Sequence, residues 1–383
     1  MKTRSFFLLV LIVIQCSLAI AQYDSIPHGN YNRTYLLHLP PNYNSVDSLP
    51  LVIAMHGGFG NAYNIQNQSE LSLKADAENF IVLYPEGVKG GLYNISSWNA
   101  GACCGFASSS NIDDVGFISA LLDTIISQYL IDINRIYVTG MSNGGFMSYR
   151  LACELSDRIA AIAPVAASIT VANCVPVRSV PIISFHSYLD NNIPYYGGVG
   201  SGFSNHYNPP QDSVLNAWAS MNSCTDINDT IVNNAQYTSI KWTSCDCGIE
   251  IHQYVTQDGG HSWPGGTSTV IGDSASNFIN ATDLMWEFFQ QHSLNCIPTF
   301  IETINNSKNR FDLFPNPTSG IINIPHNYTG QISILSIEGE LIKTINCNSH
   351  SLINISHLPN GIYIIKFANN KEVSINKVQL IKK

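Results

Sequence analysis

Charge is what this chain has least of. Only 12% of its 383 residues are charged, and 18 Lys and Arg stand against 27 Asp and Glu, a formal net charge of −9. Between residues 22 and 310 there are 10 basic and 23 acidic side chains. So few cations on an acidic surface exclude a polyanion, and no nucleic-acid partner is expected. No glycine-rich phosphate loop follows a strand and no dinucleotide fingerprint appears, so no cofactor is expected. Cys245-x-Cys247 lacks the matching second pair of a metal site, so no metal is expected. No apolar run reaches the ~20 residues of a membrane-spanning helix.

What is present begins with an export signal. Lys2 and Arg4 precede an apolar run over residues 6–14, and Ala19-Ile20-Ala21 is a small-residue cleavage site. Residues 1–21 therefore read as a signal peptide. Gln15 before Cys16 argues against a lipid at that cysteine. Export makes the nine later cysteines candidates for disulfides, and their odd number leaves one over or joined to another chain. Connectivity is not readable from sequence. Cys224 with Cys245 or Cys247 would close a loop ahead of a later strand.

The most informative run is Ile136-Tyr-Val-Thr-Gly140-Met-Ser142-Asn-Gly144. A β-branched strand enters a G-x-S-x-G, and a helical pattern follows. A serine presented as a nucleophile sits on a sharp turn, where a Cβ two positions to either side would strike the neighbouring strand and helix. Ser142 is therefore the candidate nucleophile of a serine hydrolase.

A serine hydroxyl needs a base, and the base needs a carboxylate to hold its tautomer. On this type of fold the order is Ser, then acid, then His. His261 lies in Asp258-Gly-Gly-His-Ser-Trp-Pro-Gly-Gly266, a glycine-rich loop after a strand at 249–255. His252 falls inside that strand and is expected to fill one of its faces. Asp190 follows the apolar strand Pro181-Ile-Ile-Ser-Phe-His186 and is the candidate acid. Asp258 is too near His261 in the chain to be preferred. Asp113 and Asp114 precede Ser142 and read as the N-cap and first-turn charge of a helix.

An oxyanion also needs two backbone N–H donors. One is expected from Asn143, directly after the nucleophile. The other is expected from Gly58 in His56-Gly57-Gly58, the loop after the strand Leu51-Val-Ile-Ala-Met55. His56 is expected to be structural rather than a second base.

These segments together resemble the secreted feruloyl esterase / polyhydroxybutyrate depolymerase family of α/β-hydrolases. The resemblance runs over residues 25–293. It rests on Asp132-x-x-Arg135-Ile-Tyr-Val-Thr-Gly-Met-Ser-Asn-Gly-Gly, on the His56-Gly-Gly loop, and most specifically on Gly260-His-Ser-Trp-Pro-Gly-Gly266. Trp98-Asn-Ala-Gly-Ala-Cys-Cys-Gly105 with Asp113-Asp-Val-Gly-Phe117 is similar to a further segment of that family. The resemblance implies Ser142 as nucleophile, Asp190 as acid and His261 as base. It also implies feruloyl or acetyl esters on plant polysaccharide, or polyhydroxyalkanoate, as substrate. Trp98 and Trp263 are expected to line the acyl or sugar side of the cleft. Many relatives carry a cysteine after the His-Gly pair; Gly58 keeps the amide donor and forgoes any cross-link there.

Alternating strand and helix patterns over 22–293 predict a mainly parallel sheet flanked by helices, the α/β-hydrolase class. Residues 294–310 are polar and read as a linker. Short alternating runs over 311–383 predict a small all-β sandwich with no nucleophile–base pair of its own. Phe314-Pro-Asn-Pro-Thr-Ser-Gly320, Leu358-Pro-Asn-Gly-Ile-Tyr363 and the lysine-ended tail resemble the C-terminal sorting domain of the type IX secretion system. That implies secretion or attachment to the cell surface through that machinery. Two competing readings are a serine peptidase on the same fold and a non-catalytic glycan-binding surface protein. An intact Ser, Asp and His in the right order argues against the second.

Overall fold

The computed structural model describes residues 21–44, 46–201, 205–268, 273–295, 313–324, 329–336, 341–348, 352–368 and 373–382. The signal peptide expected over 1–21 and the linker expected over 294–310 lie almost wholly outside the described residues. The chain divides into two compact units, Met1–Thr299 and Phe300–Lys383.

Ten strands of the first unit form one sheet. They are β1 (Ala21–His28), β2 (Tyr31–His38), β3 (Leu49–Met55), β4 (Ile81–Pro85), β5 (Ile131–Met141), β6 (Ala161–Val165), β7 (Ile182–Ser187), β8 (Asp226–Asn233), β9 (Tyr237–Thr243) and β10 (Ile251–Thr256). Their spatial order is β1-β2-β4-β3-β5-β6-β7-β10-β9-β8. The six strands from β4 to β10 run parallel, and two antiparallel strands close each edge.

The parallel strands are apolar because helices cover both their faces. Every residue of β3, β4 and β6 is buried. Alternate residues of β3 feed two cores: Leu51, Ile53 and Met55 enter one, Val52 and Ala54 the other. Among the described residues the α-helices are α1 (Ala62–Ser69), α2 (Leu71–Glu78), α3 (Gly105–Ser109), α4 (Asp114–Gln128), α5 (Asn143–Glu154), α6 (Gln211–Met221) and α7 (Ala281–Phe289). Phe117 and Leu121 of α4, Leu151 of α5 and Trp218 of α6 fill the first core. Ile65 of α1, Leu71 of α2, and Met285 and Phe289 of α7 fill the second. This is the α/β-hydrolase class. Among the described residues no helix is long and apolar enough to cross a membrane.

Asp113 caps α4, accepting from Gly116 N–H at 2.9 Å. Asp114 is more than a first-turn charge. It is fully buried, pairs with Arg33 at 2.7 Å and accepts from Asn99 N–H. Disulfides join Cys153 to Cys174, Cys224 to Cys245, and Cys103 to its neighbour Cys104. Of the two partners expected for Cys224, Cys245 is the one taken.

Among its described residues the second unit holds β-strands and no helix. Four antiparallel strands (Leu341–Asn348, Thr329–Leu335, Gly361–Ala368, Val373–Leu380) form one sheet, and Ile321–Asn323 pairs with Leu352–Asn354 in another. Ile322, Ile332, Ile353, Ile365 and Val378 share one core between them.

Candidate active site

Parallel strands all present their C-terminal ends on one edge of a sheet, where ligands of such folds bind. Here β3 ends in His56-Gly57-Gly58, β5 in Ser142, β7 in the loop to Asp190, and β10 in the loop to His261.

Ser142 adopts φ 53° and ψ −124°, outside the regions L-residues prefer. Such a conformation costs on the order of 1–3 kcal/mol and persists only where the surroundings enforce it. They do so here. Ser142 N–H donates to Val165 O at 2.9 Å, and its own carbonyl accepts from Phe146 N–H at the start of α5. A Cβ at Gly140 would lie 2.5 Å from the Gly144 backbone, and one at Gly144 would lie 2.2 Å from Met55 O. The two glycines are therefore required by the close crossing of strand, turn and helix.

Asp190 and His261 stand 71 residues apart in the chain, and Asp190 Oδ2 accepts from His261 Nδ1 at 2.9 Å. The other carboxylate oxygen accepts from the N–H groups of Asn192 and Ile193 at 2.9 and 2.8 Å. Burial pushes this carboxyl's pKa up. The positive field of His261, its hydrogen bond, His186 and the Ile193 amide outweigh burial, and the pKa ends below the ordinary value. Asp190 thus stays ionised in an almost fully buried place. With Nδ1 committed to Asp190, the His261 ring has Nε2 left for the cavity. Ser142 and His261 line one cavity. Their side chains do not hydrogen-bond to each other in this structure.

His56 is fully buried, and burial lowers its pKa to about 4. Its Nδ1 donates to Gly57 O at 2.7 Å, while Nε2 accepts from Gly87 N–H at 3.0 Å. In a trans peptide the carbonyl and the next N–H point in opposite directions. Holding Gly57 O therefore also aims the Gly58 N–H. Asn143 follows the nucleophile, and its side chain clamps one residue from both sides. Oδ1 accepts from Trp98 N–H at 2.7 Å and Nδ2 donates to Trp98 O at 3.0 Å.

The two tryptophans correct an expectation. Trp98 and Trp263 are both fully buried, and neither lines the cavity. Each uses its indole N–H inside the protein. Trp98 Nε1 donates to His56 O at 3.0 Å, so the residue ties the Asn143 side to the His56 loop. Trp263 Nε1 donates to Thr282 Oγ1 at 3.0 Å, anchoring the His261 loop to α7. They hold the His56 loop and α7 through their indole N–H groups, since a buried indole N–H needs a partner.

The remaining candidates are structural. His252 fills a face of β10 and shares a hydrogen bond with Ser239 Oγ at 2.7 Å. The Asp258 carboxylate accepts from Ser276 Oγ and from Asn277 N–H at 3.2 Å, not from the base. Sequence reasoning missed Asp273, whose carboxylate accepts from the His261 backbone N–H at 2.6 Å. It also missed His186, whose Nε2 donates to Ile193 O at 2.7 Å and so braces the acid loop. Only its place in the Phe185-His186-Ser187 strand end hinted at a role.

The cavity holds about 1040 Å³. Ser142, His261, Asn143, Gly58 and His56 all line it, and no Asp, Glu, Lys or Arg lines it among the described residues. A buried carboxylate–imidazole pair and a serine on a strained turn thus border one cavity.

Fold and site together define an α/β-hydrolase of the serine-elbow type. Comparison with known proteins bears out the resemblance read in the sequence. Residues 33–178 match the family model described as Esterase PHB depolymerase, and residues 312–382 match that of the Secretion system C-terminal sorting domain. Feruloyl esterase B of Piromyces equi is 28% identical over 279 residues, 68% of this chain and 46% of that protein. A bifunctional acetylxylan esterase/xylanase of Neocallimastix patriciarum is 27% identical, over 59% of this chain and 31% of that protein. The match thus spans less than half of either relative's length. Feruloyl esterase C of Emericella nidulans is 25% identical over 67% of this chain and 83% of that one. Among solved structures, acetyl xylan esterase from Aspergillus awamori aligns with a TM-score of 0.49 and 16% identity, over 70% of this chain and 99% of that one.

Proposed function

We propose that this protein is a secreted serine carboxylic-ester hydrolase. Ser142 is its nucleophile, His261 its base and Asp190 the carboxylate that holds the base. The carrying observation is the 2.9 Å bond from His261 Nδ1 to Asp190 Oδ2 beside a serine held at φ 53° in the same cavity.

Ser142 Oγ attacks the ester carbonyl carbon while His261 Nε2 takes its proton. The carbonyl oxygen becomes an oxyanion facing the Gly58 and Asn143 N–H groups. The C–O bond to the alcohol breaks, and His261 returns the proton to the leaving oxygen. Water, deprotonated by His261, then attacks the acyl-serine; the C–O bond to Ser142 breaks, His261 returns the proton to Ser142 Oγ, and the carboxylic acid leaves. Candidate substrates are feruloyl or acetyl esters on plant polysaccharide, or polyhydroxyalkanoate, in keeping with the relatives' names.

The domain plan belongs to the same reading: signal peptide over 1–21, hydrolase over 22–293, linker over 294–310 and sorting domain over 311–383. The match at 312–382 supports delivery outside the cell or to its surface through the type IX machinery.

The test is turnover of p-nitrophenyl acetate by the wild type and by Ser142→Ala, with labelling by a fluorophosphonate. The variant is expected to fold, to lose several orders of magnitude in kcat and to escape the label. Retention of more than a few per cent of wild-type turnover would remove Ser142 from the role.

A further inference from the structure

We propose that Asp273 is a positioning residue for the base: its carboxylate holds the backbone of His261, and through it the place of the imidazole between Asp190 and Ser142. The proposal rests on the ester-hydrolase reading above.

An imidazole that works as a base needs two fixed points. Asp190 supplies one by accepting from Nδ1 at 2.9 Å. A ring held there alone can still pivot about that bond and carry Nε2 away from Ser142. The second fixed point is the Cα, which the backbone sets. His261 follows Gly259 and Gly260, the residue type that leaves a chain most freedom. The loop is tied at both ends. Ahead of the glycines, Asp258 O accepts from Thr256 Oγ1 at 3.0 Å and from Ser187 Oγ at 3.1 Å. Beyond the base, Gly265 N–H donates to Ser276 O at 2.8 Å. Between these ties, among the described residues, the backbone of 259–262 makes one hydrogen bond outside the loop. It is the 2.6 Å bond from His261 N–H to Asp273 Oδ2.

The local packing is built around that bond. A Cβ at Gly260 would lie 2.2 Å from Asp273 Oδ2 and 2.7 Å from its Cβ. The carboxylate thus occupies the place of a side chain at position 260, and glycine there lets it reach the next amide. A Cβ at Gly259 would lie 2.9 Å from Ser276 N, so the same returning segment closes on both glycines. A carboxylate acceptor makes the bond charge-assisted, stronger than one between two amides. Asp273 is itself exposed. Its removal opens no core cavity and strands no buried charge, so it is expected to cost little stability. The cost falls on geometry, where a shift of about 1 Å can lower a rate by ~10²-fold.

The experiment uses the full chain with Asp273→Ala and Asp273→Asn, and measures kcat and KM for p-nitrophenyl acetate beside Tm. Asp273→Ala is expected to lower kcat by about tenfold to a hundredfold, with KM within about twofold and Tm near that of the wild type. Asp273→Asn keeps an acceptor oxygen of the same reach and is expected to recover most of that loss. The proton that His261 Nδ1 shares with Asp190 gives a second readout, a far-downfield NMR signal assigned by its absence from His261→Ala. It is expected to weaken by exchange with water in Asp273→Ala and to persist in Asp273→Asn. An alanine variant with wild-type kcat would overturn the proposal. So would one that loses Tm and kcat together, which would make the residue structural, or an asparagine variant as slow as the alanine one. Each of these results leaves the ester-hydrolase reading standing if the wild type is active. No wild-type turnover and no fluorophosphonate label on Ser142 would bring down both.

Discussion

The backbone N–H of Gly87 donates to His56 Nε2 at 3.0 Å, and this bond sets which nitrogen of the ring carries the proton. Nε2 is an acceptor, so Nδ1 is the donor, and it is spent on Gly57 O at 2.7 Å. The next amide in the chain is that of Gly58. His56 therefore orients a proposed oxyanion donor through a peptide plane. His56→Ala is expected to lower kcat for p-nitrophenyl acetate by about 10²-fold with little change in KM, since the lost alignment matters only in the transition state. A KM effect with kcat intact would place His56 in substrate binding instead.

Asp190 and Asp258, the two acids considered for the proposed base His261, have different partners. Asp190 receives the ring N–H of His261, whereas the Asp258 carboxylate is occupied by Ser276 and Asn277. Asp190→Asn is expected to hold the wrong tautomer and lose about 10⁴-fold in kcat. Asp258→Asn keeps one of the two acceptor oxygens used by Ser276 and Asn277 and is expected to stay within about tenfold of wild type. A dead Asp258→Asn beside a nearly wild-type Asp190→Asn would reverse the assignment.

Acid should destabilise the fold through its buried histidines. Burial lowers His56 to about 4 and His252 to about 3, against 6.5 for an unperturbed ring. Below pH 6.5 the unfolded chain takes up protons that the folded chain refuses, so stability falls as pH drops from 6.5 toward 4. Each ring contributes up to about 1.4 kcal/mol per pH unit across that window. The expected result is a Tm that declines from pH 6.5 to 4.5, with a shallower decline in His252→Gln. A wild-type Tm that stayed level across this range would show that these rings are not held neutral.

Each unit has its own core, so the second should be separable from the chemistry. Removal of residues 311–383 is expected to leave turnover of a soluble ester unchanged and to strand the protein in the periplasm of its host. Normal secretion of the truncated chain would remove the sorting role from that unit. If only activity on insoluble polymer were lost, a binding module would replace it.

By itself the sequence determined the features that depend on neighbours along the chain. The G-x-S-x-G between strand and helix, the glycine-rich loop around His261 and the apolar strand before Asp190 are local patterns, and their order follows from the parallel sheet. The sandwich at the C-terminus was legible for the same reason, in short alternating runs between turns. The tertiary structure alone decided what depends on separation in space. Trp98 was expected to line the cleft; it is buried, held by His56 and Asn143, which lie 42 and 45 residues away in the chain and are not readable as its neighbours. Asp273 is invisible as a support for His261 until a loop returns 12 residues later to accept its amide. Hydrogen-bond partners and burial belong to packing, and packing joins residues that the one-dimensional pattern keeps apart.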